Sequence, residues 1–179
     1  MTETDLLALA ADLAQRAGAA ILDVRAAGFS VASKSDHSPV TAADHAAEAL
    51  ILAGLRQATP DIPVIAEEEM AAGREPAVDE VFWLIDPLDG TREFSSGSDE
   101  FAVCIGLVRG RFPVLGAVGV PALGELFGGI VGQGAWKETA VGRSPIATRP
   151  PPPRGAVVLA SRHHGRESGL GTYLADKPE

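Results

Sequence analysis

Four apolar runs, 101–108, 113–120, 125–131 and 135–138, follow one another closely. Only Arg109-Gly110-Arg111, Pro121-Ala122-Leu123-Gly124 and Gly132-Gln133-Gly134 lie between them. Connections this short cannot cross back over a sheet, so consecutive runs must pair antiparallel. Upstream, Leu6, Leu9, Leu13, Ala17, Ile21 and Val24 recur at helical spacing. They predict a helix over 5–27, capped by Thr4 and ended by Gly28. A second helix is expected from near Thr41 to Pro60, with Ala47, Leu50, Ile51 and Leu55 as its apolar face. Thr41-Ala42-Ala43-Asp44 has the form of a capping box. Short strands are expected around Phe29 and Val31 and over 62–66. Residues 70–80 show no period and read as loop, with Gly73 and Pro76 as breakers. The near-continuous apolar run 81–85 reads as a strand buried on both faces. The expected class is α+β, a mostly antiparallel sheet covered by two N-terminal helices.

Arg149 is followed by four prolines and Arg154. Such a run favours a stiff, extended connector. The expected organisation is a first domain over 1–148, a connector over 149–154 and the start of a second, incomplete domain over 155–179. The apolar run 156–160 has little after it to cover it. An exposed apolar surface is therefore expected around Val157, Val158 and Leu159.

Charge and cysteine usage exclude several classes. With 15 Lys and Arg against 24 Asp and Glu, the net charge is −9. That field does not suit duplex nucleic acid or an anionic membrane. No apolar run approaches the ~18 residues of a spanning helix, and the acidic N-terminus does not resemble a secretory signal. The single Cys104 makes neither an internal disulfide nor a thiolate zinc site. Cytoplasmic residence is the expectation. Cys104, in an apolar run, reads as core. His37, His45, His163 and His164 read as surface residues, and Trp83 and Trp136 as packing.

Three segments carry candidate chemistry. Glu67-Glu68-Glu69 follows the strand at 62–66. It is either a solvated charge run or a hard-metal site, since Mg²⁺ takes carboxylate and carbonyl oxygen. In Ile85-Asp86-Pro87-Leu88-Asp89-Gly90-Thr91 an apolar strand runs into two aspartates. As a metal site, both carboxylates and the Leu88 carbonyl can face one spot. Gly90 then permits close approach to a ligand, and Gly90-Thr91 opens a short helix. Asp44 is either a capping carboxylate or one that holds a hydroxyl, such as that of Thr91, in place to take a proton from water.

These pieces in this order resemble the inositol monophosphatase family of lithium-sensitive, magnesium-dependent phosphatases. The local wording is nearest to the branch of CysQ-type 3'(2'),5'-bisphosphate nucleotidases. It is carried by Lys34-Ser-Asp-His-Ser-Pro-Val-Thr-Ala-Ala-Asp44, by Trp83-Leu-Ile-Asp-Pro-Leu-Asp-Gly-Thr-Arg-Glu-Phe94 and by Glu100-Phe-Ala-Val. The resemblance implies a sugar-phosphatase-like sandwich. It implies that Glu67, Asp86, Asp89 and the Leu88 carbonyl hold two or three Mg²⁺ ions, with Li⁺ as an inhibitor. Asp44 and Thr91, with Glu67, would orient and deprotonate the attacking water. The Gly90 and Thr91 N–H groups would hold phosphate oxygens, Glu68 would support the shell, and Lys34 would lie in a loop near the site. The implied reaction is hydrolysis of the 3'-phosphate of 3'-phosphoadenosine 5'-phosphate or its sulfate. The alternatives are an inositol monophosphatase-like esterase of small phosphates and a catalytically silent metal-binding fragment. The expected partners are a small phosphorylated nucleotide and a second copy in a homodimer. The family's Trp-Asp motif is absent here: Trp83 is followed by Leu and Trp136 by Lys.

Overall fold

The computed structural model describes residues 1–33, 39–74, 76–77 and 80–150. Lys34, His37, His163, His164, the strand expected at 156–160 and the surface expected around Val157 lie outside the described residues. The chain divides into two compact units, Met1–Ile146 and Ala147–Glu179. All the described helices and strands belong to the first.

Helix α1 spans Glu3–Ala27 and helix α2 spans Ala42–Ala58. The cap of α1 is Thr2 rather than Thr4. Its hydroxyl accepts from Asp5 N at 3.2 Å, and Asp5 Oδ2 accepts from Thr2 N at 2.8 Å. That reciprocal pair satisfies two N–H groups that would otherwise lack partners. Leu6, Ala10, Leu13, Ala17 and Ile21 form the buried stripe of α1. The two helices pack closely because residue 54 is Gly: a Cβ there would collide with Leu13 Cδ2.

Strands β1 (Val31–Ser33) and β2 (Pro39–Thr41) form an antiparallel pair. The main sheet has seven strands in chain order. They are β3 (Val64–Ala66), β4 (Val81–Asp89), β5 (Ala102–Arg109), β6 (Phe112–Val120), β7 (Glu125–Ile130), β8 (Gly134–Thr139) and β9 (Gly142–Ile146). Every neighbouring pair is antiparallel except β3–β4, which is parallel. Val103, Ile105, Leu107, Leu115, Ala117 and Leu126 are buried in the core that the sheet shares with the helices. The architecture is α+β with a mostly antiparallel sheet, as the spacing of the apolar runs predicts.

Four expectations are corrected. Leu84 is 49% exposed, so β4 is not buried on both faces; the helices cover one face only. Cys104 is half-buried rather than core, because alternation from Val103 and Ile105 turns it to the open face. Glu67–Ala71 is a short helix, α3, where the sequence predicts a charge run and a loop. Finally, β4 runs on past the expected 81–85, through Asp86-Pro87-Leu88 to Asp89. Pro87 is tolerated because β3 has ended opposite Ile85 and the β4–β5 register slips between Asp86 and Asp89. No ladder bond is needed from position 87 at such a bulge.

Candidate active site

The parallel β3–β4 pair brings two strand ends to one edge. Ala66 is the register partner of Ile85, so Glu67 and Asp86 are the next residues along their two strands. Glu67 opens α3, and Asp86 continues β4. The pKa of Asp86 is pushed up to about 7, first by burial, then by the charge of Glu67 and a hydrogen bond with it, then by Asp89. Its Oδ1 also accepts from Leu88 N at 3.1 Å. The set is therefore crowded, hard and anionic.

Glu67 and Asp86 meet, whereas Asp89 acts on Asp86 only through its charge. Among the described residues no three carboxylate, imidazole or thiol groups close around one point. Of Glu67, Asp86 and Asp89, which the sequence reading expects within one ion's reach, the structure brings Glu67 and Asp86 together. Asp89 lies beyond the register slip and is exposed, and like charges favour its separation from Asp86. The donor chemistry still fits a hard divalent cation. Two adjacent carboxylates, one of them with its pKa pushed up by burial and by the charge of the other, are what such a cation would relieve. The Leu88 carbonyl keeps one lone pair for this role, since Thr91 Oγ1, 3.0 Å away, can engage only the other.

Asp44 combines its two readings. Its Oδ2 accepts from Thr41 N at 2.8 Å and from Thr41 Oγ1 at 2.7 Å, which completes the capping box of α2. Its Oδ1 is left to face Thr91 Oγ1 at 3.1 Å, across 47 residues of sequence. Asp44 is buried, and only 1% of its surface is exposed.

Gly90 sets the start of helix α4 (Thr91–Ser95) with φ +93°. A Cβ at residue 90 would lie 2.8 Å from the Glu100 carbonyl oxygen, so only Gly lets this turn press against the 100–101 backbone. Phe94 of α4 is fully buried, stacked on Phe29 at 4.6 Å and edge-on to Phe101 at 5.2 Å. The turn carrying Gly90 and Thr91 is thereby anchored on both sides.

Glu48 is a site residue that the sequence reading misses. From α2 it accepts a hydrogen bond from Glu68 N at 2.7 Å, tying α3 to α2. Burial raises its pKa. A signal for it exists: Asp44 and Glu48 are four apart on the face that carries Ala47 and Ile51, and a carboxylate on a buried face needs a partner. Arg56 holds Glu69 at 2.6 Å from the same helix. Cys104 pairs in register with Asp86, and its thiol is pushed up to about 12 by burial and by Asp86 and Asp89. It is therefore no nucleophile at neutral pH. His45 is exposed, as expected.

Residues 2–172 match the model of the inositol monophosphatase family. The chain is 42% identical over 164 residues to the 3'(2'),5'-bisphosphate nucleotidase CysQ of Escherichia coli O157:H7, an alignment that covers 90% of this chain and 65% of that protein. The chain thus spans about two thirds of that relative's length. Among solved structures, CysQ from Bacteroides thetaiotaomicron superposes with a TM-score of 0.62 at 28% identity, covering 96% of this chain and 68% of the other. Mycobacterium tuberculosis SuhB superposes with a TM-score of 0.64 at 31% identity, covering 79% of this chain and 51% of the other.

Proposed function

The chain belongs to the inositol monophosphatase family, and we propose that within it this protein is a phosphomonoesterase acting on the 3'-phosphate of a bisphosphate nucleotide. The substrate is of the 3'-phosphoadenosine 5'-phosphate type. The observation that carries the reading is the Thr91 hydroxyl held against buried Asp44 at 3.1 Å, beside the Glu67–Asp86 pair.

Glu67, Asp86, Asp89 and the Leu88 carbonyl are the proposed holders of Mg²⁺. When bound, the metal would supply a water acidified to a nucleophile and charge compensation for the leaving oxygen. The chain's own residues do the rest. Asp44 Oδ1 accepts the Thr91 hydroxyl proton in its hydrogen bond. The lone pairs of Thr91 Oγ1 are then free to accept from the attacking water, which sets that water's direction. The Gly90 and Thr91 N–H groups face a phosphate oxygen, and the turn is already fixed by Phe94 and the 100–101 backbone. Glu48 and Glu68 keep α3, and with it Glu67, in place. Lys34 is proposed as a substrate-binding residue. The domain division at 148 and 154, a homodimer, cytoplasmic residence and the absence of nucleic acid partners belong to the same proposal. No described helix is long and apolar enough to cross a membrane.

A phosphate-release panel tests the reading. With Mg²⁺ supplied, release from 3'-phosphoadenosine 5'-phosphate should exceed release from inositol 1-phosphate and adenosine 5'-phosphate, and Li⁺ should suppress it. Preference for inositol 1-phosphate would move the chain to the alternative branch. No release from any of them would leave a silent metal-binding module.

A further inference from the structure

We propose that Arg25, at the end of α1, is a positioning residue that holds the Gly90–Thr91 turn in its working place; the inference rests on the phosphatase reading above. Four contacts converge on its guanidinium. Nη1 donates to Asp99 Oδ1 at 2.9 Å, and Nη2 donates to the Gly97 carbonyl at 2.7 Å. The same group lies over the rings of Phe101 at 5.6 Å and Phe94 at 6.0 Å. One side chain thus grips the loop that follows α4 and caps the aromatic cluster beneath it.

The grip reaches the candidate site through backbone. Residues 97 and 99 lead directly into 100–101, the segment whose backbone abuts Gly90. Gly90 caps α4, and the first residue of α4 is Thr91. Loosening the loop would let Glu100 and Phe101 recede, removing the wall that keeps residue 90 at φ +93°. Thr91 Oγ1 would then drift from Asp44. Displacement of a reacting group by about 1 Å can cost on the order of 10²-fold in rate.

The chemistry points to Arg rather than to a generic cation. The ion pair alone is weak, since the Asp99 side chain is 64% exposed, and such pairs contribute little. A planar fork can serve a carboxylate and a carbonyl at once while its flat face covers two rings. Lysine can do one of these but not all. Arg25→Lys should therefore recover part of the effect, and Asp99→Asn should lose little.

Amide hydrogen exchange and phosphate release, measured together on the 179-residue chain, test the proposal. Arg25→Ala should speed exchange at 91–98 at least tenfold and leave exchange in β5–β7 unchanged. It should lower kcat about tenfold with KM within twofold. Arg25→Lys should fall between Ala and the parent, and Asp99→Asn should stay within threefold of the parent on both measures. Unchanged exchange at 91–98, or acceleration spread evenly over the sheet, overturns the inference. If the parent chain releases no phosphate, the phosphatase reading fails, while the exchange arm still decides whether Arg25 holds the turn.

Discussion

Thr91 and Asp44 reach one another only after the chain has folded, and each is also committed to structure. The Thr91 hydroxyl has the Leu88 carbonyl as its second acceptor within reach, and Asp44 caps α2 through Thr41. Thr91→Ala should lower kcat by roughly 10²–10⁴, the range for a positioned acid–base group. A Mg²⁺-induced rise in melting temperature should persist, because the side chain removed is not among the proposed metal holders. Steady-state kinetics and thermal melts with and without Mg²⁺ check both halves. Gly90→Ala is a backbone test. It imposes a positive φ on an L-residue and drives a Cβ to 2.8 Å from the Glu100 carbonyl. A stability loss of about 2 kcal/mol is expected in denaturant unfolding. At this scale the sequence is informative where residue type and order both constrain. Asp-Pro-Leu-Asp-Gly-Thr can be read directly, but the division of labour between the two oxygens of Asp44 cannot, since it depends on where α4 lands.

At the scale of elements, α3 is held by side chains from α2 rather than by any apolar face of its own. Five residues make a helix too short to stand alone. Glu48 is the brace, and it is buried with its pKa raised. A carboxylate whose folded pKa exceeds the unfolded one binds protons more readily when folded. Its contribution is fully present below the ordinary Glu value and is lost as pH rises through the raised one. Glu48→Gln keeps an acceptor for Glu68 N without the charge. Melting temperature in the variant should therefore fall less than in the parent as pH climbs from about 4.5 toward neutrality. Parallel curves for the two chains would show that Glu48 does not titrate in this window. The long strands are legible because alternation over six to nine residues is hard to mimic by chance. Strands β2 and β9 are not, being short and each containing a proline. Helix α3 is hidden for a related reason: its stability comes from partners distant in sequence.

At the scale of the whole molecule, both long helices of the first unit lie on one face of the sheet, and apolar side chains on the other face are exposed. Register aligns Leu84, Gly106, Gly116, Gly129, Ala135 and Ile146 in one row across six strands. Leu84 and Ile146 are exposed, as is Val118 in the next row. A Cβ on Gly106 or Gly116 would meet no side chain. Exposed apolar area of this kind binds hydrophobic dyes in a folded protein. Native dye fluorescence is expected for the 179-residue chain. It should drop in a Leu84→Glu, Val118→Glu double variant whose melting temperature changes by only a few degrees. A parent chain that leaves the dye dark would mean that this face is covered. The sequence points to an apolar surface at 157–159, outside the described residues. It does not reveal the exposed row in the sheet, because the register that aligns these residues across six strands is set only when the sheet forms.

The double duty of Asp44 bears on how this protein can change over generations. Helix α2 begins at its capping box, so replacing Asp44 harms folding before it harms chemistry. On the proposed function, a descendant that abandoned phosphate hydrolysis would still be selected to keep it. Asp89, exposed and beyond the register slip, has no comparable tie to the fold. Among such descendants the loss of activity would be recorded first at Asp89, while Asp44 would persist as a relic with a structural occupation.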